Sequence, residues 1–352
     1  MIKLLLQTAS DIFHNIFLSR KYDLVYVVEN SDWSIKWDGK YITKNLTKNN
    51  LLKGKISTTH IGLRGKIIHF GSANTLINSK GIKKVHPSNK IILTWFHIEP
   101  NDSKKKFIPL LNDRVNLIHT SCEITKKLLI ENGLNRKKII VIPLGIDLNI
   151  FKPFSKEKII KLKEKHQIPL NKIIIGSFQK DGAGWKEGLE PKLVKGPDIF
   201  CEVIKKISKK YPIHIILTGP SRGYVKKRLE DMNVPYTHIF LKQYTNIVDF
   251  YNMIDLYIIT SRAEGGPKAL LESMACKIPL VSTRVGMIDD MVKNNKNLIV
   301  CETEDIDCLI RKSLLLLKNN EIKNNSIEQS LEYAQEYSWD KIAIKYYNQL
   351  YK

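Results

Sequence analysis

Short apolar runs alternate with amphipathic, helix-like stretches along the chain, and this alternation restricts the fold more than any other feature. The runs lie at residues 24–28, 67–70, 91–96, 115–120, 139–142, 172–178, 213–218, 239–241 and 256–260. Short apolar strands separated by helices build parallel sheets whose crossover helices cover both faces. With 352 residues, the chain is long enough for two such domains, one on each side of about residue 150. The prediction is therefore an α/β protein with two doubly wound domains.

The N-terminal part of the sequence is harder to assign to this pattern. The first seven residues, Met-Ile-Lys-Leu-Leu-Leu-Gln, have too short an apolar core for a signal peptide and are interpreted as a first strand. Residues 31–55, rich in Lys, Asn and Trp, are interpreted as an irregular segment or an acceptor-facing insertion. No apolar stretch approaches the roughly 18 residues that cross a bilayer.

Cysteine usage favours a reduced compartment. The five cysteines are an odd number without a C-x-x-C pair, and they stand at positions 122, 201, 276, 301 and 308. This pattern predicts neither a disulfide framework nor a zinc site. We therefore expect a cytoplasmic protein.

Residues 260–283 carry the strongest chemical signal. Two glutamates, Glu264 and Glu272, are separated by seven residues across a Gly-Gly-Pro turn between an apolar strand and an amphipathic helix. Gly266 is predicted as the N-cap and Pro267 as the first helical residue. Lys268 in the first turn opposes the helix dipole, which favours an anion bound nearby. The structural alternative is a plain strand–turn–helix with a solvated Lys–Glu pair.

This segment resembles the E-x(7)-E signature of retaining family-4 glycosyltransferases of the GT-B fold. The resemblance lies in Glu264-Gly-Gly-Pro-Lys-Ala-Leu-Leu-Glu272 and continues through Thr283-Arg-Val-Gly286. Upstream, Lys195-Gly-Pro-Asp198 and Ile216-Leu-Thr-Gly219 are similar to two further motifs of that family. The similarity extends from about residue 90 to the C-terminus, and the first 90 residues show little of it.

The resemblance implies two Rossmann-like domains facing across a cleft. Residues 1–150 would form the acceptor-side domain, and residues 151–335 the nucleotide-sugar-binding domain. Residues 336–352 would form a C-terminal helix that returns to the first domain. The implied activity is transfer of a sugar from a nucleotide-diphosphate sugar with retention of configuration. Two alternatives stay open at this point: a nucleotide-sugar epimerase on the same fold, and an inactive basic protein that binds membranes or polyanions.

The resemblance also assigns roles to residues of the second domain. Glu272 would bind the nucleotide ribose. Glu264, with the backbone N–H groups of Gly265 and Gly266, would hold the donor sugar and phosphates and is a catalytic candidate. The remaining donor-binding candidates are Lys180, Lys195, Gly219, Pro267 and Lys268. Lys195 precedes a helix start, is a further catalytic candidate and is the main cation expected at the leaving diphosphate, because no D-x-D run suited to a divalent ion occurs in a predicted site loop. No metal and no cofactor are therefore expected.

In the first domain, Leu93-Thr-Trp-Phe-His97 resembles the strand whose terminal histidine contacts the donor sugar, so His97 is a catalytic candidate. The acceptor-side candidates are His69, Gly71 and Ser72. The sequence departs from the family in two places. Lys277 stands where the family has glycine, at a helix C-cap that favours a left-handed conformation. The usual glycine-rich loop after the first strand is absent from residues 6–10.

The formal net charge of +22 comes mainly from lysine and has two explanations. Ile and Asn are also abundant, which is typical of an A/T-rich genome, so part of the charge reflects codon usage. The alternative is attraction to anionic lipid headgroups or to an anionic acceptor. No nucleic-acid-binding pattern accompanies the basic clusters. The expected partners are a nucleotide-sugar donor and a glycan or lipid-linked acceptor, with the protein peripheral on the inner face of the membrane.

Overall fold

The computed structural model describes residues 2–30, 34–99, 102–184, 186–294 and 298–352. The chain folds into two compact units. The first unit comprises residues 1–145 and 337–352, and the second comprises residues 146–336. Within the described ranges, every helix is too short or too polar to cross a membrane.

The first unit is built on a six-stranded parallel sheet. Its strands are β1 Leu24–Val27, β2 Gly54–Ser57, β3 Ile67–Phe70, β6 Lys90–Thr94, β7 Leu117–Thr120 and β8 Ile139–Val141, in the order β2-β1-β3-β6-β7-β8. A small antiparallel hairpin joins β4 Ile77–Asn78 to β5 Gly81–Ile82. The helices are α1 Ile2–Phe17, α2 Ser34–Lys48, α3 Ala73–Leu76 and α4 Glu123–Glu131. Apolar strand residues such as Val25, Ile68 and Leu93 are fully buried, as in sheets covered on both faces.

Two expectations for the N-terminal region are wrong. The first strand is β1, and residues 2–17 form helix α1 instead. Asp11 and Asn15, one helical turn apart, both bond to the segment 58–61, which holds this stretch outside the sheet as a helix. The region 31–55 is not irregular, because it contains α2 and the first half of β2. Its residues 31–33 lie outside the described residues, and its apolar side chains recur at helical spacing, with Tyr41, Ile42 and Leu46 buried.

The C-terminal helix belongs to the first unit, as expected. Helix α13, Trp339–Tyr346, packs on α2 and is followed by a π-helical turn, Tyr347–Tyr351. The Trp339 ring stacks on Tyr41 with centroids 5.6 Å apart. A β-carbon at Gly145 would lie only 2.5 Å from the same indole, so this residue must be glycine for the helix to dock.

The second unit contains the other parallel sheet. Its strands are β9 Ile173–Ser177, β10 Ile213–Thr218, β11 Tyr236–Ile239, β12 Leu256–Ile259, β13 Leu280–Thr283 and β14 Val300–Cys301, in the order β11-β10-β9-β12-β13-β14. This is the doubly wound arrangement of dinucleotide-binding domains, with the strand order reversing between β9 and β12. The helices are α5 Lys156–Lys165, α6 Pro197–Ser208, α7 Gly223–Asp231, α8 Ile247–Tyr251, α9 Lys268–Ala275, α10 Met287–Asn294, α11 Ile306–Lys318 and α12 Asn320–Gln335.

In the second unit, the structure corrects two local expectations and confirms a third. Strand β11 covers residues 236–239, so the run at 239–241 was placed too late. Cys301 and Cys308 form a disulfide, with their Cα atoms 5.8 Å apart, which contradicts the expectation of no disulfide. The turn between β14 and the start of α11 brings these cysteines together, and a spacing of seven residues does not reveal that turn. Lys277 adopts the expected left-handed conformation, with φ of 59°, and its Nζ lies 2.8 Å from Glu328 Oε1.

Candidate active site

The candidate site lies at the carboxyl ends of β9 and β12, where the strand order of the second sheet reverses. Parallel α/β sheets bind ligands in the crevice at this switch point. Two loops follow the strands there. Residues 178–196 connect β9 to α6, and residues 260–267 connect β12 to α9. The site residues that the sequence predicted in both loops therefore lie at one edge of the sheet.

The central contact of the site is an ion pair between the two loops. Lys195 Nζ lies 2.6 Å from Glu264 Oε1, and the two side chains are only 21% and 10% exposed. Ser261 Oγ donates to the same carboxylate oxygen at 3.0 Å. The sequence placed Lys195 at the diphosphate and Glu264 at the sugar, but it did not indicate that the two side chains meet. Ser261 was not recognised at all.

Gly196 explains why Lys195 reaches this position. Its backbone is left-handed, with φ of +63°, and a β-carbon would lie 1.9 Å from the Thr260 carbonyl oxygen. Thr260 Oγ1 donates to the Gly196 carbonyl oxygen at 2.8 Å. Only glycine combines this conformation with so close an approach of two backbones. The Lys-Gly pair therefore holds Lys195 directly against the end of β12.

Arg262 forms a second link between the two loops, in addition to the Lys195–Glu264 ion pair. Its guanidinium donates to both carboxylate oxygens of Asp198, at 2.8 and 2.7 Å, and to the Leu193 carbonyl oxygen at 2.7 Å. Burial raises the pKa of Asp198, but hydrogen bonds from Arg262 and its charge outweigh this and leave the pKa below its usual value. Asp198 is therefore ionised at neutral pH, and the pair keeps the start of α6 fixed beside the β12 loop.

Glu272 lies in α9 and is only 2% exposed. Tyr251 Oη donates to Glu272 Oε2 at 2.7 Å, and Tyr244 Oη donates to Oε1. Burial and the Glu272 charge raise the pKa of Tyr251 well above its usual value, so the phenol keeps its proton and donates. Two tyrosines thus hold the carboxylate that the resemblance assigns to the ribose. Neither tyrosine was predicted, because both lie more than 20 residues away in sequence.

Replacing Tyr251 by Phe is expected to lower the free energy of unfolding by about 1.5–3 kcal/mol, because it removes a donor from a buried carboxylate. Urea unfolding followed by circular dichroism would measure this. Tyr211→Phe changes a half-buried tyrosine outside the site and should shift stability by no more than about 0.5 kcal/mol. Equal effects of the two substitutions would contradict a special role for the Tyr251–Glu272 contact.

The turn between Glu264 and α9 differs in one detail from the prediction. Helix α9 begins at Lys268, and Pro267 is its N-cap residue, so Gly266 lies before the cap. Lys268 Nζ lies 5.9 Å from the centroid of the Tyr244 ring, next to the Glu272 cluster. The backbone oxygen of Gly265 accepts from Met287 N at 2.8 Å, which anchors the turn to the start of α10.

Arg222 and Asp181 form a buried pair that the sequence did not reveal. The five guanidinium hydrogen bonds reach both Asp181 oxygens, the Ser177 carbonyl and hydroxyl oxygens and the Thr218 carbonyl oxygen, at 2.6–3.0 Å. Ser177 ends β9 and Thr218 ends β10, so one side chain joins two strand ends to the loop that carries Lys180 and Lys195. A single arginine among 57 basic residues gives no sequence signal of this role.

Two further donor-binding candidates lie close to this loop. Lys180 follows β9, and burial together with the neighbouring Lys192 lowers its pKa. Gly219 follows β10 with φ of +86°, and a β-carbon there would lie 3.7 Å from the Gln179 carbonyl oxygen. Both residues therefore lie at the carboxyl end of the sheet, and their contact with a donor stays a prediction.

The acceptor-side candidates belong to the first unit. His69 is fully buried, with Nδ1 2.6 Å from Tyr351 Oη and Nε2 2.7 Å from Thr94 Oγ1. Burial lowers its pKa well below the usual value. This neutral, enclosed histidine joins the sheet to the C-terminal segment, so its assignment to an acceptor surface is corrected. The sequence placed it within the apolar run at residues 67–70 but did not show that the C-terminus covers it.

Gly71, Ser72 and His97 follow strands of the same sheet. Gly71 lies against the core, because a β-carbon there would lie 2.5 Å from the Tyr26 ring. Ser72 caps α3 and donates to Glu29 Oε1 at 2.9 Å. His97 is 32% exposed, and its Nε2 lies 3.4 Å from Glu99 Oε1. The roles of these three residues in binding or catalysis stay predictions.

Several known proteins are similar to this chain. Residues 189–333 match the family model of Glycosyl transferases group 1. An uncharacterized glycosyltransferase of Methanocaldococcus jannaschii is 29% identical over 155 residues, which are 43% of this chain and 42% of that protein. The UDP-Gal:alpha-D-GlcNAc-diphosphoundecaprenol alpha-1,3-galactosyltransferase of Escherichia coli is 23% identical over 279 residues, 73% of this chain and 67% of that enzyme.

Among solved structures, Anabaena HepE in complex with UDP and glucose superposes with a TM-score of 0.72 at 14% sequence identity, covering 94% of this chain and 100% of HepE. At this identity the likeness establishes the fold alone. The chain therefore has the GT-B fold, and its residues 189–333, which include Lys195, Glu264 and Glu272, match the group 1 glycosyl transferases.

Proposed function

We propose that this protein is a retaining, family-4-type glycosyltransferase that moves a hexose from a nucleotide-diphosphate sugar to a glycan or lipid-linked acceptor. The observation that carries the proposal is the Lys195–Glu264 pair at the switch point, where a cation and a carboxylate adjoin a helix start. The proposed setting is cell-surface polysaccharide synthesis at the cytoplasmic face of the membrane.

Lys195 supplies the charge that the reaction requires. When the bond between sugar and diphosphate breaks, negative charge develops on the departing phosphate, and a fixed cation in a partly buried site stabilises it. Lys195 is held by Gly196 and is 21% exposed, so it is both fixed and accessible. The incoming diphosphate takes over Lys195 from Glu264, whose carboxylate then accepts hydrogen bonds from sugar hydroxyls. With this cation in place, the proposed reaction does not depend on a metal ion.

The proposed mechanism is front-face displacement. The leaving phosphate oxygen removes the proton from the acceptor hydroxyl as the new glycosidic bond forms on the same face of the sugar. Glu264 Oε1 accepts a hydrogen bond from Ser261, and with the donor bound its carboxylate would also accept hydrogen bonds from sugar hydroxyls, so it is stabilised and poorly suited to act as a nucleophile. Glu264 is therefore proposed to position the sugar. His97 is proposed to contact the sugar from the first domain.

The proposed donor is a uridine diphosphate sugar. HepE has been crystallised with UDP and UDP-glucose, and the Escherichia coli relative is named for UDP-Gal and a diphosphoundecaprenol acceptor. The ribose of such a donor would bind Glu272, whose orientation Tyr244 and Tyr251 maintain. A lipid-linked acceptor is proposed on the same grounds.

A thermal-shift panel tests the donor class. UDP, GDP, ADP and CMP would each be added without metal and then with Mg²⁺. A ligand at about 100 times its Kd stabilises by roughly 2.7 kcal/mol, so a metal-free rise in Tm with UDP alone is the expected result. A response that requires Mg²⁺ would contradict metal independence. No response to any nucleotide would overturn the proposed function.

Lys195→Ala is expected to reduce sugar transfer about 100-fold, which corresponds to the loss of one charge-stabilising group in the transition state. Hydrolysis of, or transfer from, sugar conjugates of the nucleotide that raises Tm would be measured by release of that nucleotide. Lys206→Ala removes an exposed lysine from α6 and should leave the rate unchanged. Circular dichroism would verify folding of both variants. Wild-type turnover in Lys195→Ala and also in Glu264→Ala would exclude the assigned roles.

A further inference from the structure

Helix α1 exposes its apolar side to solvent instead of burying it. Its exposed side chains include large apolar ones: Leu6 is 66% exposed, Phe13 56%, Ile16 53% and Phe17 65%. The Phe13 and Phe17 rings lie 4.8 Å apart and form one continuous apolar surface. A helix that belongs only to its own domain turns such residues inward. These four residues, which we call the α1 apolar face, lie together on the solvent side of the helix.

Polar groups hold the opposite side of the helix to the first unit. Asn15 is fully buried, and its Nδ2 donates to the carbonyl oxygens of Thr59 and Ile61 at 3.0 Å each. Asp11 Oδ2 accepts from both the backbone N–H and the hydroxyl of Thr58, at 2.7 Å each. These long-range bonds fix the rotation of α1 about its axis. The exposure of the α1 apolar face is therefore set by specific contacts and does not result from a loosely attached helix.

The charges around this face are complementary to an anionic surface. Residues 1–22 contain one carboxylate, Asp11, and three permanent cations, Lys3, Arg20 and Lys21. Asp11 is turned to Thr58, whereas Arg20 and Lys21 are exposed directly after the helix. In a symmetric dimer through α1, the same patch meets itself, which brings like charges together in a chain of net charge +22. An anionic bilayer offers both an apolar interior and neutralising headgroups.

We propose that the α1 apolar face inserts into the interface of an anionic lipid bilayer, with Arg20 and Lys21 contacting the headgroups. The helix would lie in the plane of the membrane with Leu6, Phe13, Ile16 and Phe17 among the acyl chains and its Asp11–Asn15 side against the protein. This inference rests on the proposed function for its setting, since a lipid-linked acceptor is presented at such a surface. Binding itself requires neither donor nor turnover.

Vesicle sedimentation with the full chain tests this inference. Vesicles of phosphatidylcholine alone would be compared with vesicles that also contain phosphatidylglycerol. The wild-type protein is expected to sediment with the anionic vesicles, and the double variant F13S/F17S to bind them at least about tenfold more weakly, because two large rings no longer enter the apolar layer. R20E/K21E should weaken binding to anionic vesicles specifically.

A matched control is available on the second unit. Phe240 is 71% exposed, so F240S makes the same chemical change at an equally accessible site and should bind vesicles like the wild type. Equal binding by F13S/F17S and wild type would overturn the inference, as would wild-type protein that ignores anionic vesicles. Concentration-dependent self-association that F13S/F17S abolishes would instead identify a second copy as the occupant and would also overturn it.

The readouts separate this inference from the proposed function. Circular dichroism and the UDP-dependent rise in Tm report folding and donor binding of each variant without vesicles. Vesicle binding without any nucleotide response would support the membrane-binding inference and contradict the proposed transferase function. A nucleotide response without vesicle binding would support the proposed function and overturn the membrane-binding inference.

Discussion

Replacing Arg222 by Met is expected to lower the free energy of unfolding by about 3–5 kcal/mol, since it leaves a buried carboxylate without its cation. The side chains of Arg222 and Asp181 are 0% and 1% exposed, so solvent cannot compensate for the loss. The Ser177 and Thr218 oxygens at the ends of β9 and β10 lose their donors at the same time. Urea unfolding at neutral pH measures the effect.

The same variant should have a distinctive pH dependence. Burial already raises the pKa of Asp181 above 3.8, although the charge and hydrogen bonds of Arg222 oppose the rise. Without Arg222 the pKa rises further, so the folded state holds a proton that the unfolded chain releases. Stability of the variant then falls as pH increases above the unfolded pKa, and its deficit is larger near about pH 7 than near about pH 4. A deficit independent of pH would contradict this origin.

Two controls distinguish the loss of a buried charge from the general effect of replacing an arginine by methionine. Arg228 lies in the adjoining helix α7 and pairs with Glu202 at 2.6 Å, but it is 39% exposed. Arg228→Met should therefore cost no more than about 1 kcal/mol. The double variant Arg222→Met with Asp181→Leu removes both charges, and it should recover most of the lost stability because an apolar pair can replace a buried ion pair. A double variant as unstable as Arg222→Met would show that the lost strand-end hydrogen bonds dominate.

Gly196→Ala is expected to destabilise the second unit by about 4 kcal/mol and to remove donor binding. A methyl group at this position would lie 1.9 Å from the Thr260 carbonyl oxygen, and a backbone atom cannot move aside as a flexible side chain does. Overpacking of this kind costs about 1–3 kcal/mol or more, and the left-handed backbone adds about 1 kcal/mol. The displaced loop would carry Lys195 away from Glu264, so the UDP-dependent thermal shift should disappear together with the stability.

Gly184→Ala is a control that distinguishes the strain of a left-handed alanine from the steric overlap with Thr260 that Gly196→Ala would create. Gly184 has φ of +70°, close to that of Gly196, but a β-carbon there meets nothing within 4 Å. This variant should lose only the conformational term, about 1 kcal/mol, and should keep its response to UDP. Denaturant unfolding of both variants, followed by the nucleotide panel, gives the comparison. Similar losses in the two variants would mean that the close approach to Thr260 contributes little.

Much of the fold could be predicted from local patterns. The apolar runs at 213–218 and 67–70 match β10 and β3, and the lysine-rich stretch after Ser155 forms α5 with Ser155 as its N-cap. Side-chain periodicity is a local property, so it can be recognised without knowing which distant segments pack against the stretch. Pattern reasoning failed at residues 1–7, where an apolar run is equally compatible with a strand and a helix. The contacts of Asp11 and Asn15 with the segment 58–61 decide between them.

The site divides in the same way. Its motif residues, Glu264, Glu272 and Lys195, were identifiable because a strand, a glycine turn and a helix start follow one another along the chain. The residues that position them are distant in sequence: Tyr251 lies 21 residues before Glu272, and Arg222 lies 41 residues after Asp181. No local rule connects such pairs.

By itself, the sequence determined most of the strands and helices beyond the N-terminal region, the two α/β units and the glycine-bearing turns, because these depend on the conformational preferences of neighbouring residues. Only the tertiary structure decided that Lys195 faces Glu264, that His69 is enclosed beneath Tyr351 and that α1 turns its apolar side outward. Each of these outcomes depends on which distant segments pack together. That packing is governed by close approach and burial of polar groups, which one-dimensional spacing does not contain.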